Sequence, residues 1–137
     1  MNIERVAFLY PFYADENDSP LVVFDCEEIP AIIDVNFKVF LMDLIHDEAV
    51  YLQSQILKVN NDKEEPVSVE KGFWLKAEDS QGRPDDIMAS VKMTFEDCNF
   101  ITEGVYCIRV SILKDNKITN SNQAYFKVSQ VYDKPKS

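Results

Sequence analysis

Glycine is scarce in this chain: Gly72, Gly82 and Gly104 are the only three in 137 residues. Neither G-x-x-x-x-G-K nor G-x-G-x-x-G can be assembled from them, which excludes phosphate-cradling loops of those kinds. Tight turns must then draw on Asn, Asp and Pro. Histidine occurs once, at His46, and no G-x-S-x-G is present, so a Ser-His-Asp or Cys-His hydrolase has little to build on. Cys26, Cys98 and Cys107 are odd in number and form no C-x-x-C pair, so neither a disulfide framework nor a zinc motif is indicated. They read as buried, inert strand residues, as in Tyr106-Cys107-Ile108. Long apolar runs are missing too: stretches such as Val6 to Ala14 fall far short of the ~20 residues that cross a bilayer as a helix. The start, Met1-Asn2-Ile3-Glu4-Arg5, has an acid where a secretion signal is basic, and the expected location is the cytoplasm with no membrane partner.

Basic residues are few in the first half. Residues 1–65 hold Arg5, Lys38, Lys58 and Lys63 against fourteen acids, whereas residues 66–137 hold ten of each, so the whole net charge of −10 arises before residue 66. Such a chain repels phosphate backbones and anionic lipid, which argues against direct nucleic-acid binding, and it draws basic partners. Solubility alone is the plainer explanation of the same charge.

What is present is apolar and aromatic, at 46% and 12%. The length fits one domain, expected over residues 1–132, with residues 133–137 as a frayed tail. Polar clusters at residues 15–20, 60–63, 79–84 and 114–117 separate runs rich in β-branched and aromatic residues, from which seven or eight strands are read. Ile87, Ala89, Val91, Met93 and Phe95 alternate with Met88, Ser90, Lys92 and Thr94, as in a strand with one buried face. Tyr106, Ile108, Val110 and Ile112 share a face. After a turn at Asp115 and Asn116, Ala124, Phe126 and Val128 alternate on a return strand, the most secure hairpin in the sequence. A second hairpin is read from Phe8, Tyr10 and Phe12 through the acidic turn into Leu21-Val22-Val23-Phe24. Residues 35–59 suit either period, and are read as strand, break and strand, with at most one short helical turn near 44–49. This pattern indicates an all-β protein, a sandwich or barrel.

The order of segments resembles a large uncharacterised bacterial family of about this length, expected to form an immunoglobulin-like antiparallel β-sandwich. The likeness rests on the strand Val6-Ala7-Phe8-Leu9-Tyr10, the turn Asp15-Glu16-Asn17, the strand end Val23-Phe24-Asp25 and the link through Pro30. It continues with Phe37-Lys38-Val39-Phe40-Leu41, the turn Asp79-Ser80-Gln81-Gly82-Arg83-Pro84 and the closing Gly104-x-Tyr106 strand. Glycines of the family's first turn and second strand are replaced here by Ser19 and Val22 to Phe24. The resemblance implies a fold and a bacterial or phage setting; the family has no established activity to transfer.

His46-Asp47-Glu48 beside Asp43 reads as a solvated loop, since a metal site needs several spaced ligands. Asp25 and Glu27, two residues apart on a strand, have a spacing that could flank a sugar or hold calcium, but the stretch Asp15 to Asp18 lacks the glycine of a calcium loop. No catalytic residue, metal or cofactor is assigned. Trp74 and Tyr125 could stack on a sugar, yet Trp74 precedes Leu75 in an apolar strand and reads equally as a cap on the core. Most weight falls on Asp15, Glu16, Asp18, Asp25, Glu27 and Glu28, placed around the first hairpin with Tyr10, Phe12 and Tyr13. Aromatics ringed by acids suit a partner bearing Arg or Lys. The competing expectation places Tyr10 and Phe12 in the core and has the acids protect a sheet edge. The leading expectation is therefore a non-enzymatic protein-binding module with a basic partner. An acidic nucleic-acid mimic and a small-ligand or carbohydrate-binding sandwich are the alternatives, and a homodimer through sheet extension is left open.

Overall fold

In the computed structural model, residues 4–14 and 17–131 are described; Asp15, Glu16 and residues 132–137 lie outside the described set. Nine strands follow one another: β1 (Arg5–Phe12), β2 (Val23–Cys26), β3 (Ala31–Leu44), β4 (Ala49–Asn60), β5 (Lys63–Pro66), β6 (Lys71–Lys76), β7 (Ile87–Phe100), β8 (Gly104–Lys114) and β9 (Lys117–Gln130). No helix occurs among the described residues, so none is long and apolar enough to cross a membrane. A three-stranded sheet has the order β1-β3-β7, and a six-stranded sheet has the order β2-β9-β8-β4-β5 with β6 also on β4. The two sheets pack as an immunoglobulin-like β-sandwich. Nine strands exceed the expected seven or eight because two short strands share β4: β5 pairs with residues 57–60 and β6 with residues 49–54.

Period-two patterning decides the stretch that suited either helix or strand. Val35, Phe37, Val39 and Leu41 all point into the sandwich, opposite Leu52 and Ile56 of β4 and Ile108, Val110 and Ile112 of β8, and none is more than 2% exposed. A helix could not bury that alternating set on one side. The break at 45–48 is a turn closed by the Glu48 N–H donating to the Ile45 carbonyl at 3.2 Å. The alternation in β7 and the β8–β9 hairpin follow the sequence reading.

With glycine scarce, Asp and Asn supply the reversed backbone. Asp18, Asp43, Asp47, Asn61, Asp97, Asp115 and Asn116 all have φ between 47° and 65°, the left-handed region that their short polar side chains tolerate. Asp18, Asp47 and Asp115 lie between strands, whereas Asp43 and Asp97 sit where the β3–β7 register shifts, so five acids hold reversed backbone whatever else they do.

One end of the sandwich is tied by aromatics. The Tyr106 hydroxyl donates to the Thr102 carbonyl at 2.6 Å across the β7–β8 link, the arrangement known as a tyrosine corner. Its ring meets Phe100 edge-on at 4.9 Å and lies 5.8 Å from Phe126. Phe24 of β2 closes the cluster against Phe126 at 5.2 Å.

That contact accounts for a correction to the first hairpin. The reversal after β1 closes as a hairpin would, with Tyr13 N–H donating to the Ser19 carbonyl and Leu21 N–H to the Pro11 carbonyl, each at 2.9 Å. The strands then part. β1 pairs with β3, whereas β2 crosses to the other sheet and runs parallel to β9, from Val23 opposite Lys127 to Cys26 opposite Gln130. Leu21, Phe24 and Cys26 are buried in the core by this crossing, which a continued hairpin on β1 would leave on an edge.

Candidate functional site

The aromatic run of β1 lies on the outer face of its sheet, with Phe8 exposed, Tyr10 half-buried and Phe12 buried. A bulge at Ala7 inserts one residue between Val6, opposite Leu41, and Phe8, opposite Phe40. A one-residue insertion flips the phase of everything after it. Val6 and Leu9 therefore face the core, while Phe8, Tyr10 and Phe12 share the outer face of the three-stranded sheet. Phe8 stacks on Phe40 with centroids 4.3 Å apart and is 51% exposed. Tyr10 lies 6.3 Å from Phe40 and meets Phe12 at 6.5 Å. Phe12 is buried at 7% exposure but outside the contiguous core cluster: the Lys92 ammonium sits 5.7 Å over its ring, and Lys92 in turn pairs with Asp18. The expectation that Tyr10 and Phe12 are buried in the core is corrected for Tyr10, which is only half-buried on the outer face, whereas Phe12 is buried.

At the other end of this face, Met42 and Met88, the latter 77% exposed, join Phe8 and Phe40 around an apolar depression of about 400 Å³. Arg5, opposite Met42, and Lys38, 5.1 Å from the Phe40 ring centroid, border it, and neither pairs with a carboxylate among the described residues. Sequence reading missed Phe8, Phe40, Met42 and Met88 as a group. The signal was there in the outward phase of β3 and β7, where Phe40 and Met88 fall out of step with their buried neighbours.

The remaining predicted residues gather elsewhere. Tyr13, 52% exposed, lines a second depression of about 400 Å³ with Val23, Asp25, Glu27 and Glu28, beside the short edge strand β2. These three carboxylates make no ion pair among the described residues. Asp18 does not join them, being paired with Lys92 on the outer face of the other sheet. The nine predicted residues thus divide into Tyr10, Phe12 and Asp18 on one surface, Tyr13, Asp25, Glu27 and Glu28 on another, and Asp15 and Glu16 outside the described residues.

Much of the remaining acidity has structural posts. Asp79 Oδ1 accepts from the N–H groups of Gln81 at 2.9 Å and Arg83 at 3.0 Å, which lowers its pKa. Asp34 Oδ1 accepts from Asp97 N–H at 2.9 Å, and Glu64 pairs with Arg109. Glu4, only 3% exposed, and Glu48 share Lys114.

The reactive side chains are held apart. His46 Nδ1 accepts from Asp79 N–H at 2.9 Å, joining two loops. All three cysteines are buried; desolvation raises their pKa values, that of Cys98 to about 11, the opposite of what a thiolate nucleophile needs. No three His, Cys, Asp or Glu side chains gather as metal ligands would among the described residues.

Trp74 does not cap the core. It is 70% exposed on the outer face of the six-stranded sheet, opposite Tyr51, with ring centroids 5.4 Å apart. Its neighbours Phe73 and Leu75 point inward instead, as alternation on β6 requires.

No family model matches the chain. No curated protein matches it. Among solved structures it is similar to the alkylpurine DNA glycosylase AlkC of Pseudomonas fluorescens bound to DNA containing an abasic site analog, with a TM-score of 0.48 and 16% identity over 92% of this chain and 30% of that one. It is also similar to β-glucosidase from Listeria innocua, with a TM-score of 0.46 and 12% identity over 95% of this chain and 16% of that one. The CARDB domain of the PF1109 protein from Pyrococcus furiosus, in complex with di-metal ions, gives a TM-score of 0.43 and 12% identity, covering 95% of this chain and 92% of that one. The chain spans less than a third of the glycosylase and glucosidase chains.

Proposed function

We propose that this protein is a non-enzymatic binding module for another protein and that the outer face of the three-stranded sheet makes the contact. The observation that supports this most is the half-exposed Phe8 stacked on Phe40 beside Met42 and Met88. Exposed apolar clusters of this kind mark interaction surfaces, and aromatics and Met are enriched at their centres. Arg5 and Lys38 at its border, two of only four bases in residues 1–65, suit a partner segment that sets apolar side chains next to carboxylates. The use of five Asp residues at left-handed backbone positions, in turns and at strand irregularities, favours recognition through this face over mimicry of nucleic acid, because those acids are placed by backbone need rather than in phosphate-like rows.

A second reading keeps the basic partner. Tyr13 and the carboxylates of Asp25, Glu27 and Glu28 converge on one depression, and a basic segment would meet them through charge pairing and cation–π contact. Capture from a lysate of the native host separates the two readings. Loss of the retained protein by Phe8→Ser with Met88→Ser supports the apolar face. Loss by charge reversal at Asp25, Glu27 and Glu28 supports the acidic depression, and retention by both variants contradicts both readings.

A further inference from the structure

On the outer face of the six-stranded sheet, a groove of about 300 Å³ opens between Tyr51, Trp74, Leu113 and the hairpin residues Asp115 and Asn116. This is the small end of ligand pockets, the size for one ring rather than a large molecule. Its floor depends on Gly72. The Tyr51 phenol ring lies across the Gly72 backbone, where an added Cβ would stand only 2.7 Å from Tyr51 Cε1 and nearer still to Cζ and the hydroxyl. The absent side chain lets Tyr51 lie down beside Trp74, and the two rings, inclined at 51°, form an open wedge.

The polar rim is of a different chemistry from the wedge. Asp115 and Asn116 occupy the left-handed turn between β8 and β9, at φ 51° and 62°, and line the groove. Asp115 pairs with no cation among the described residues. An aromatic wedge with the Asp115 carboxylate and the Asn116 amide at its edge matches a ligand with one apolar face and a hydroxylated perimeter. The C–H face of a pyranose ring stacks on indole, and its hydroxyls donate to a carboxylate and exchange hydrogen bonds with amides. The Asp115 charge and the chain's net −10 disfavour phosphorylated or otherwise anionic ligands.

We infer that the Tyr51–Trp74 groove is a binding site for a neutral sugar ring of an oligosaccharide. Trp74 is the only tryptophan in the chain, so its fluorescence reports on this groove alone. The experiment titrates the protein with cellohexaose, xylohexaose, mannohexaose and chitohexaose while following tryptophan emission. A saturable change with at least one of them is expected, weakened about tenfold by Tyr51→Ala through loss of the wedge wall, and weakened also by Asp115→Ala. For Trp74→Ala, saturation-transfer NMR on the same oligosaccharide is expected to lose its signal, with an unchanged far-UV spectrum showing that the sandwich is intact. No emission change with any of the four, or a change that survives unaltered in Tyr51→Ala and Asp115→Ala, overturns the inference.

Discussion

Phe8 and Phe40 stack with centroids 4.3 Å apart and planes 18° from parallel, on the outside of the sandwich rather than within it. Phe37, three residues earlier on β3 than Phe40, is fully buried and stacks on Phe95 at 5.5 Å. The two phenylalanines should therefore respond differently to truncation. Phe37→Ala is expected to cost about 3–5 kcal/mol, through lost transfer energy and a cavity. Phe8→Ser is expected to cost under about 1 kcal/mol, as an outward substitution. Urea unfolding of the two variants measures the difference; comparable losses would mean that Phe8 serves the fold and not a partner.

The tyrosine corner gives a narrower test. Tyr106→Phe keeps the ring against Phe100 and Phe126 but removes the donor to the Thr102 carbonyl. Loss of that hydrogen bond is expected to cost about 1–3 kcal/mol. A lowered urea midpoint with an unchanged denaturant slope is the predicted result.

Lys114 links the chain's start to the far end of β8, by pairing with the buried Glu4 and with Glu48. Burial by itself opposes the charged lysine, yet the hydrogen bonds to Glu4 and Glu48 outweigh it and hold the ammonium above its ordinary pKa. Lys114→Met strands the Glu4 carboxylate and is expected to cost about 2–4 kcal/mol, a figure below the full value for a buried pair because the lysine keeps some solvent contact. Lys76→Met, which breaks an exposed pair with Asp47, is expected to cost under about 1 kcal/mol. Equal thermal shifts in the two variants would contradict this ordering.

Cys98 makes stability depend on alkaline pH. Its folded-state pKa of about 11 lies above the ordinary 9.0, chiefly through burial and secondarily through Asp34 and Asp97. The folded state then holds the thiol proton more tightly than the unfolded chain does. This stabilisation is complete below pH 9 and is lost as pH rises through 11, a decline on the order of 2 kcal/mol. Unfolding free energies measured between pH 8 and 11 should fall more steeply in the wild type than in Cys98→Ala. Parallel curves would show that the thiol does not contribute.

How much of this was legible in the sequence follows from where period and phase agree. β7 alternates as far as Phe95, before the shift at Glu96 and Asp97, and Tyr106 to Ile112 of β8 and Ala124 to Val128 of β9 alternate likewise, so these inward faces were readable residue by residue. The need for Asp and Asn in turns was readable from the count of glycines, and Asp18, Asp47, Asn61, Asp115 and Asn116 meet it, while Asp43 and Asp97 use the same backbone within strands. The outer aromatics of β1 were not readable, because the Ala7 bulge reverses the phase within that strand, whereas the outward phase of Phe40 on β3 and Met88 on β7 was. The departure of β2 to the other sheet depends on Phe24 meeting Phe126, about a hundred residues away, and no local pattern encodes that pairing. Trp74 was misplaced for a simpler reason: its apolar neighbours Phe73 and Leu75 look alike in composition but lie on the opposite face of β6.

The contact surface itself is tested most directly by the dissociation constant of the captured partner, measured at low and high salt for the wild type, for Phe8→Ser with Met88→Ser, and for charge reversal at Asp25, Glu27 and Glu28. An apolar contact centred on Phe8 and Phe40 predicts at least about tenfold weaker binding for the first variant at both salt concentrations, as for loss of a central aromatic anchor, with the charge-reversed variant close to wild type. Unchanged binding by the Phe8 and Met88 variant would contradict the account.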